Sequence, residues 1–462
     1  MIHQYKMNGY NIVIDGNSGS IHAVDDLAYD LIGLFEAKTE DEIVAELGEK
    51  YRAFPDIAAD EIRAVYHDVQ TLKENGSLFS EDPYVNQAFD FKNRQAVVKA
   101  LCLHIAHDCN LACKYCFAGK GEYQGARSLM SFEVGRQALD FLIAQSGTRK
   151  NLEVDFFGGE PLMNFDVVKQ LVAYGRSQEA KKNISFHFTL TTNGILLDDE
   201  IMEFANREMN NVVLSIDGRR EVNDRMRVSK TGTGCYDLIL PKFMRFAKLR
   251  HQQKYYIRGT YTHYNTDFSN DILHLADLGF QQLSMEPVVA PPDAPYALTE
   301  EDVPKLCAEY ERLAVEMRNR SRKGEGFTFF HYMLDLEGGP CIVKRISGCG
   351  VGTEYMAVTP WGDLYPCHQF VGNDRYLLGN VFEGVTNKPV QDEFQRCNVY
   401  AHEACKDCFA KFYCSGGCAA NAFHASGSIT GMYDIGCKLH RKRIECAVML
   451  KVAEALDADS TL

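Results

Sequence analysis

The chain has no apolar run approaching the length of a membrane span and no cysteine before position 102. The first absence excludes a helical membrane anchor, which needs about 20 predominantly apolar residues in a row. The start, Met1-Ile2-His3-Gln4-Tyr5-Lys6, leads into polar residues rather than an apolar signal core, so the expectation is a soluble, cytoplasmic protein. Basic residues are outnumbered. The 49 Lys and Arg against 63 Asp and Glu leave a net charge of −14, which argues against a wide nucleic-acid-binding face. A Ser–His–Asp or paired-carboxylate pattern is also missing, so the side chains announce no hydrolytic machinery.

What is present is cysteine in quantity. Sixteen occur among 462 residues, most of them in two tight groups. A secreted, disulfide-stapled protein would spread its cysteines through small modules behind a signal peptide. Grouped thiols in a reducing compartment read instead as metal ligands. Cys102, Cys235, Cys307 and Cys446 stand alone in helix- or strand-like contexts and are expected to be plain core residues. With 46% hydrophobic residues the chain can bury a large core, and its length calls for two or three domains.

Residues 1–80 form the first region. Tyr10–Asp15 alternates like a strand, and Gly16-Asn17-Ser18-Gly19 turns it toward Ser20–Ala23. Three helices follow: Thr39-Glu40-Asp41-Glu42 is a capping box opening the second, and Ile62, Val65, Val69 and Leu72 mark the apolar face of the third. This plan is winged-helix-like. Only Lys6, Lys38, Lys50 and Arg52 are basic among the first 62 residues, which speaks against DNA as its partner. Residues 81–96 read as a linker.

From 97 to 321 strand and helix alternate. Strand candidates are Ala100–Ile105, Leu152–Phe157, Ile184–Thr191, Val212–Ile216, Tyr255–Tyr261 and Gln282–Glu286. Helical stretches such as Phe132–Ala144, Asp166–Gly175 and Ile272–Leu278 separate them. The expected fold class is therefore α/β, with a partial (βα)6 TIM-type barrel whose chemistry sits on loops at the carboxyl ends of the strands. A connector (322–340) leads into a cysteine-rich region (341–446) with little periodicity before the last helix, expected over Lys438–Leu456. Bound metal would supply the cross-links that such a region needs. Residues 447–462 end the chain as helix and tail.

The first cysteine group, Cys109-x3-Cys113-x2-Cys116, lies in the loop directly after the first barrel strand. Three thiolates on a cubane leave one iron open to a small ligand. A zinc site completed by His104 or His107 stays open on this motif alone. Further loops follow the next strands in order: Gly158-Gly159-Glu160-Pro161, Thr191-Thr192-Asn193-Gly194 and Ser215-Ile216-Asp217-Gly218, with Asn223–Arg227 beyond. In the second group, twelve residues separate Cys349 from Gly362 and four more precede Cys367. Cys405-x2-Cys408-x5-Cys414-x3-Cys418 follows, then an eighteen-residue gap to Cys437. A zinc site could use Cys405, Cys408, Cys414 and Cys418, but it would leave Cys349, Cys367 and Cys437 without a task.

These motifs in this order resemble the radical S-adenosylmethionine (SAM) superfamily over residues 97–321 and its SPASM domain over the tail. The resemblance implies that Cys109, Cys113 and Cys116 ligate the cluster that cleaves SAM. It further implies that Tyr115 lies near the adenine, that Gly158, Gly159 and Glu160 take the SAM amino group, and that Ser215 and Arg227 contact its ribose and carboxylate. In the tail it implies an inner auxiliary cluster on Cys349, Cys367 and Cys418, with Cys341 as the nearby candidate for a fourth ligand. The outer cluster would rest on Cys405, Cys408, Cys414 and Cys437, giving three [4Fe-4S] clusters in all.

Over the full length the chain is most similar to thioether-forming maturases of six-cysteine (SCIFF or ranthipeptide) precursors. The residues carrying that likeness include Cys341–Arg345, Gly348-Cys349-Gly350 and Tyr365–Gly372. The resemblance implies a 5′-deoxyadenosyl radical, a Cys-rich precursor whose leader pairs with the amino-terminal hairpin, and a one-electron donor such as flavodoxin or ferredoxin. Nucleic acid and membrane are not expected as partners. A maturase that oxidises a side chain to formylglycine without a cross-link, and a non-enzymatic zinc scaffold, are the other classes open to this sequence.

Overall fold

The computed structural model describes residues 1–85, 97–119, 121–123, 125–336 and 341–459. Most of the linker, 86–96, and the end of the connector, 337–340, lie outside the described residues.

The amino-terminal region is a three-stranded antiparallel sheet, β1 (Ile2–Met7), β2 (Tyr10–Asp15) and β3 (Ile21–Val24), packed on α1 (Asp26–Leu34), α2 (Glu40–Lys50) and α3 (Ala59–Glu74). Strand β1 is absent from the sequence expectation, which read the start as merely polar. The overlooked signal is Asn8-Gly9: both residues have positive φ, +50° and +82°, and they join Met7 to Tyr10 in a two-residue hairpin. The capping box forms as expected, Thr39 N–H donating to Glu42 Oε2 at 2.9 Å. Ile62 and Val69 are buried in this region's own core, with Val65 and Leu72 packed against it.

The barrel strands are β4 (Ala100–Ala106), β5 (Asn151–Gly158), β6 (Ser185–Thr192), β7 (Asn211–Ser215), β8 (Tyr255–Tyr261) and β9 (Gln282–Pro287), parallel and adjacent in chain order. The right-handed crossover helices cover one face of this sheet. Alternation along each strand decides what goes where. Leu190, Leu214, Ile257 and Met285 enter the outer hydrophobic core, while Thr191, Ser215, Arg258 and Glu286 line the inner cavity. A short strand β10 (Thr328–Phe329) extends the β9 edge.

At the other edge the tail joins the same sheet. Strand β11 (Tyr355–Val358) runs parallel to β4, and β12 (Asp363–Tyr365) turns back on it. Two very short antiparallel strands, Gly379–Asn380 and Gly384–Val385, continue this edge, and the rest of the tail is built of 3-10 turns and helices. The final helix spans Asp434–Asp459, starting four residues earlier than expected, so Cys437 sits in its first turns. No described helix is long and apolar enough to cross a membrane.

The amino-terminal region leans on the tail. The His3 ring stacks on Phe409 with centroids 3.7 Å apart and meets Glu445 at 2.9 Å. At the head of the linker, Asp82 pairs with the buried Lys411 at 2.8 Å. Among the described residues β3 pairs only with β2, which leaves its outer edge without a strand partner.

Candidate functional site

The loop after β4 is tied down by backbone on two sides. Ala112 N–H donates to Val228 O at 2.7 Å and Lys114 N–H to Met226 O at 2.9 Å. On the other side Gly159 makes the close approach possible. A Cβ there would stand 2.0 Å from Asp108 O, so no larger residue fits without moving the loop. Gly158, at φ +120°, likewise lies against Ala106 O.

Cys109, Cys113 and Cys116 all face one cavity of about 920 Å³, which opens between the carboxyl ends of the strands and the tail. Tyr115, Gly158, Gly159, Glu160, Ser215 and Arg227 line the same cavity. Burial pushes the Cys109 thiol up to about 12 and the Cys113 thiol up to about 11, so both are protonated when free and would release protons on binding metal.

Two buried charged groups stand behind the thiols. Glu160 accepts from Asn193 N–H at 2.8 Å, Thr192 Oγ1 at 2.8 Å and Leu162 N–H at 3.1 Å. Burial nevertheless raises it to about 7. Asp217 is raised to about 6 by burial, held in check by Arg227 and by the Tyr115 hydroxyl, which donates to it at 2.6 Å. Arg227 completes the triangle, donating to the Tyr115 oxygen at 3.0 Å. Arg227 Nε and Asn110 Nδ2 are buried donors without a partner in the structure, which suits a bound group presenting acceptors. The residues present therefore fit an iron–sulfur cluster with SAM at its open position.

The tail cysteines fall into two neighbourhoods. Cys405, Cys408, Cys414 and Cys437 lie within reach of one another's charge. Burial first, and then those neighbours, push Cys405 up to about 11 and Cys414 up to about 12. Cys349, Cys367 and Cys418 share the second neighbourhood, and Cys349 and Cys418 face the cavity. Among the described residues, no three His, Cys, Asp or Glu side chains meet at the point one bare ion would occupy.

Cys341 is exposed at the start of the helix Ile342–Ser347 and does not line the cavity. Cys397, which the sequence reading passed over, is half-buried beside the second neighbourhood. Its thiol lies 3.3 Å from Ile429 O, and burial, then Cys349, push it up to about 12. The sequence reading also missed Asp217 as a positioning group, although its loop was recognised. Another omission was Arg258, whose signal is a charge in the middle of the apolar strand Tyr255–Tyr261.

Known proteins share these features. Residues 98–237 match a family model described as a 4Fe-4S single cluster domain, and residues 349–409 match SPASM, an iron-sulfur cluster-binding domain. The chain is 32% identical over 135 residues to the uncharacterized protein MJ0907 of Methanocaldococcus jannaschii, a match spanning 29% of this chain and 44% of that one. It is 25% identical over 331 residues to a cysteine-type anaerobic sulfatase-maturating enzyme of Clostridium perfringens, covering 67% of this chain and 85% of the relative.

Among solved structures, anSMEcpe with bound AdoMet and Kp18Cys peptide superposes with a TM-score of 0.64 at 20% identity, covering 78% of this chain and 99% of that one. Streptococcus suis SuiB bound to precursor peptide SuiA superposes with a TM-score of 0.54 at 17% identity, covering 94% and 98%.

Proposed function

Starting from a radical SAM enzyme with a SPASM domain, related to peptide maturases, we propose that this chain matures a ribosomally made Cys-rich precursor by joining a cysteine sulfur to a carbon of another residue. The observation that carries this reading is the single cavity of about 920 Å³ bounded on one wall by Cys109, Cys113 and Cys116 and on the other by Cys349 and Cys418. A peptide lying in that cavity meets both sets of thiols at once.

Three [4Fe-4S] clusters would be held, one by the loop cysteines, one by Cys349, Cys367 and Cys418, and one by Cys405, Cys408, Cys414 and Cys437. When bound, the clusters and SAM would supply a radical able to take hydrogen from carbon, together with an acceptor for the surplus electron. The chain's own residues bind and orient. Glu160 would take the SAM ammonium, Arg227 its carboxylate and Ser215 its ribose, while Asp217 holds Tyr115 and Arg227. Cys341 is the candidate fourth thiol for the inner group, displaceable by the substrate's cysteine. The open β3 edge would take the leader as an added strand, held by main-chain hydrogen bonds. The solved relatives with bound peptides support a peptide substrate.

A second reading has its own support. The 25% identity spanning 85% of a sulfatase-maturating enzyme favours side-chain oxidation without a cross-link. Co-expression with a small Cys-rich precursor separates the two. Each thioether removes two hydrogens from the peptide and makes one cysteine resistant to alkylation after reduction. Products in which a cysteine has exchanged its sulfur for an aldehyde oxygen, or in which another side chain is oxidised and every cysteine still alkylates, would assign the enzyme to the oxidases. Removal of residues 1–80 is expected to abolish processing of the full-length precursor while uncoupled SAM cleavage persists, and unchanged processing would refute the leader role.

A further inference from the structure

The protein as a whole is acidic, with a net charge of −14, yet the cavity inverts that balance. Its lining holds four cationic side chains, Arg227, Arg258, Lys344 and Arg443, against two carboxylates, Glu160 and Glu286. Arg227 is engaged with Tyr115 and Asp217. Arg443, buried on the final helix, is engaged with Glu286 at 3.2 Å and with the Tyr310 hydroxyl at 2.8 Å.

Arg258 has no such engagement. It projects from the middle of β8 into the cavity, exposed there, with no ion pair or side-chain hydrogen bond among the described residues. Glu286, His331 and His368 line the same cavity and lie near enough for its charge to act on each. Glu286 cannot neutralise it alone, because two guanidiniums share that one carboxylate. The imidazoles nearby add nothing negative: His331, beside Ser284 and Glu286, and His440 are partly buried, and desolvation holds both neutral. His440, one turn before Arg443 on the final helix, lines the same cavity, and its buried Nε2 has no partner. An unpaired guanidinium and an orphaned imidazole nitrogen lining one cavity make a site for an anionic oxygen group.

We propose that Arg258, with His440 lining the same cavity, forms a carboxylate-binding subsite that seats an acidic side chain of the substrate peptide. This rests on the reading that the cavity holds a peptide. It adds that the substrate carries an Asp or Glu near the cysteine that reacts. Arg258 is a positioning residue, since it holds the chain of the substrate rather than the reacting atoms.

The test uses full-length, cluster-loaded enzyme titrated anaerobically with SAM and with three blocked Cys-containing pentapeptides. One carries Asp, one carries Asn in its place, and the third keeps the Asn but is blocked only at its amino end, so that its single charge is a free terminal carboxylate. The expected result is at least about tenfold tighter binding of the Asp peptide than of the Asn peptide, a difference of about 1.4 kcal/mol. Arg258→Met should abolish that preference, Arg258→Lys should retain part of it, and SAM should bind both variants as it binds the parent. Tighter binding of the free-ended peptide than of the Asp peptide, lost in Arg258→Met, would support the subsite and assign it to a peptide terminus.

Equal binding of all three peptides overturns the subsite and leaves the peptide reading standing, whereas binding of none overturns both. Two further results overturn it. One is Arg258→Met weakening SAM while the Asp preference persists. The other is a shifted cluster reduction potential with no Asp preference at all, which would make Arg258 a counter-charge to the tail thiolates.

Discussion

The barrel loop and the tail both present cysteines to one cavity, but they are held in place by different physics. The Cys109–Cys116 loop rests on six parallel strands whose outer faces bury a continuous core of Leu, Val, Ile and Phe. It is fastened by backbone hydrogen bonds to Met226 and Val228 and by the glycine contact at Gly159. Around Cys405 the apolar core is small. It comprises Ile346, Val399, Phe412 and Cys405 itself, set among 3-10 turns and helices as short as Lys411–Cys414. Packing and backbone hydrogen bonds fix the first loop, whereas the small apolar core of the tail leaves it to depend on the groups its cysteines would hold. A loop supported in this way can be altered chemically without unfolding, and the tail cannot.

The largest effect should fall on the tail. Cys414→Ala is expected to melt the segment around Cys405–Cys437 and expose it to proteolysis. Cys109→Ala should abolish SAM cleavage while leaving the thermal transition of the barrel in place. Limited proteolysis and calorimetry on both variants read the contrast, and equal loss of structure would erase it.

A smaller effect is expected where the barrel itself carries a buried ion pair. Arg227→Met leaves Asp217 buried without its cation, at a cost of about 3–5 kcal/mol, measurable by denaturant unfolding and accompanied by loss of SAM affinity.

The smallest effect is a pH dependence at Glu160. Its carboxyl is raised above the ordinary value to about 7 by burial, so ionising it costs stability as pH climbs from the ordinary carboxylate range toward 7. A bound ammonium offsets that cost. SAM should therefore bind more tightly as pH rises from about 6 to 8, by up to about tenfold per pH unit below 7. Calorimetric titration of Glu160→Gln should show no such rise.

How much of this was legible in the sequence follows the same division. The six barrel strands were readable to within a residue or two because each alternates or runs apolar at a strand's length, and β8 matches its expected bounds. The helix Phe165–Lys182 runs longer than the expected Asp166–Gly175, because its last turns are solvated and carry no apolar stripe. Cysteine spacing marked both tail groups, since spacing records ligand geometry even where periodicity is silent. The joining of β11 to β4 was invisible: four residues, Tyr355–Val358, carry too little pattern to announce a pairing with Ala100–Leu103, 255 positions earlier in the chain. Polar groups that act through others, Asp217 on Arg227 and Tyr115, or Arg258 facing a cavity, become legible only when the fold brings their neighbours together.

The most direct test of the proposed division, one cluster on the barrel and two in the tail, is the iron and sulfide content of the anaerobically reconstituted chain. About twelve irons per chain are expected, falling to about eight when Cys109, Cys113 and Cys116 are all replaced by Ala, with the fold retained. Iron that never exceeds about four per chain, or zinc filling the tail in its place, would contradict the account.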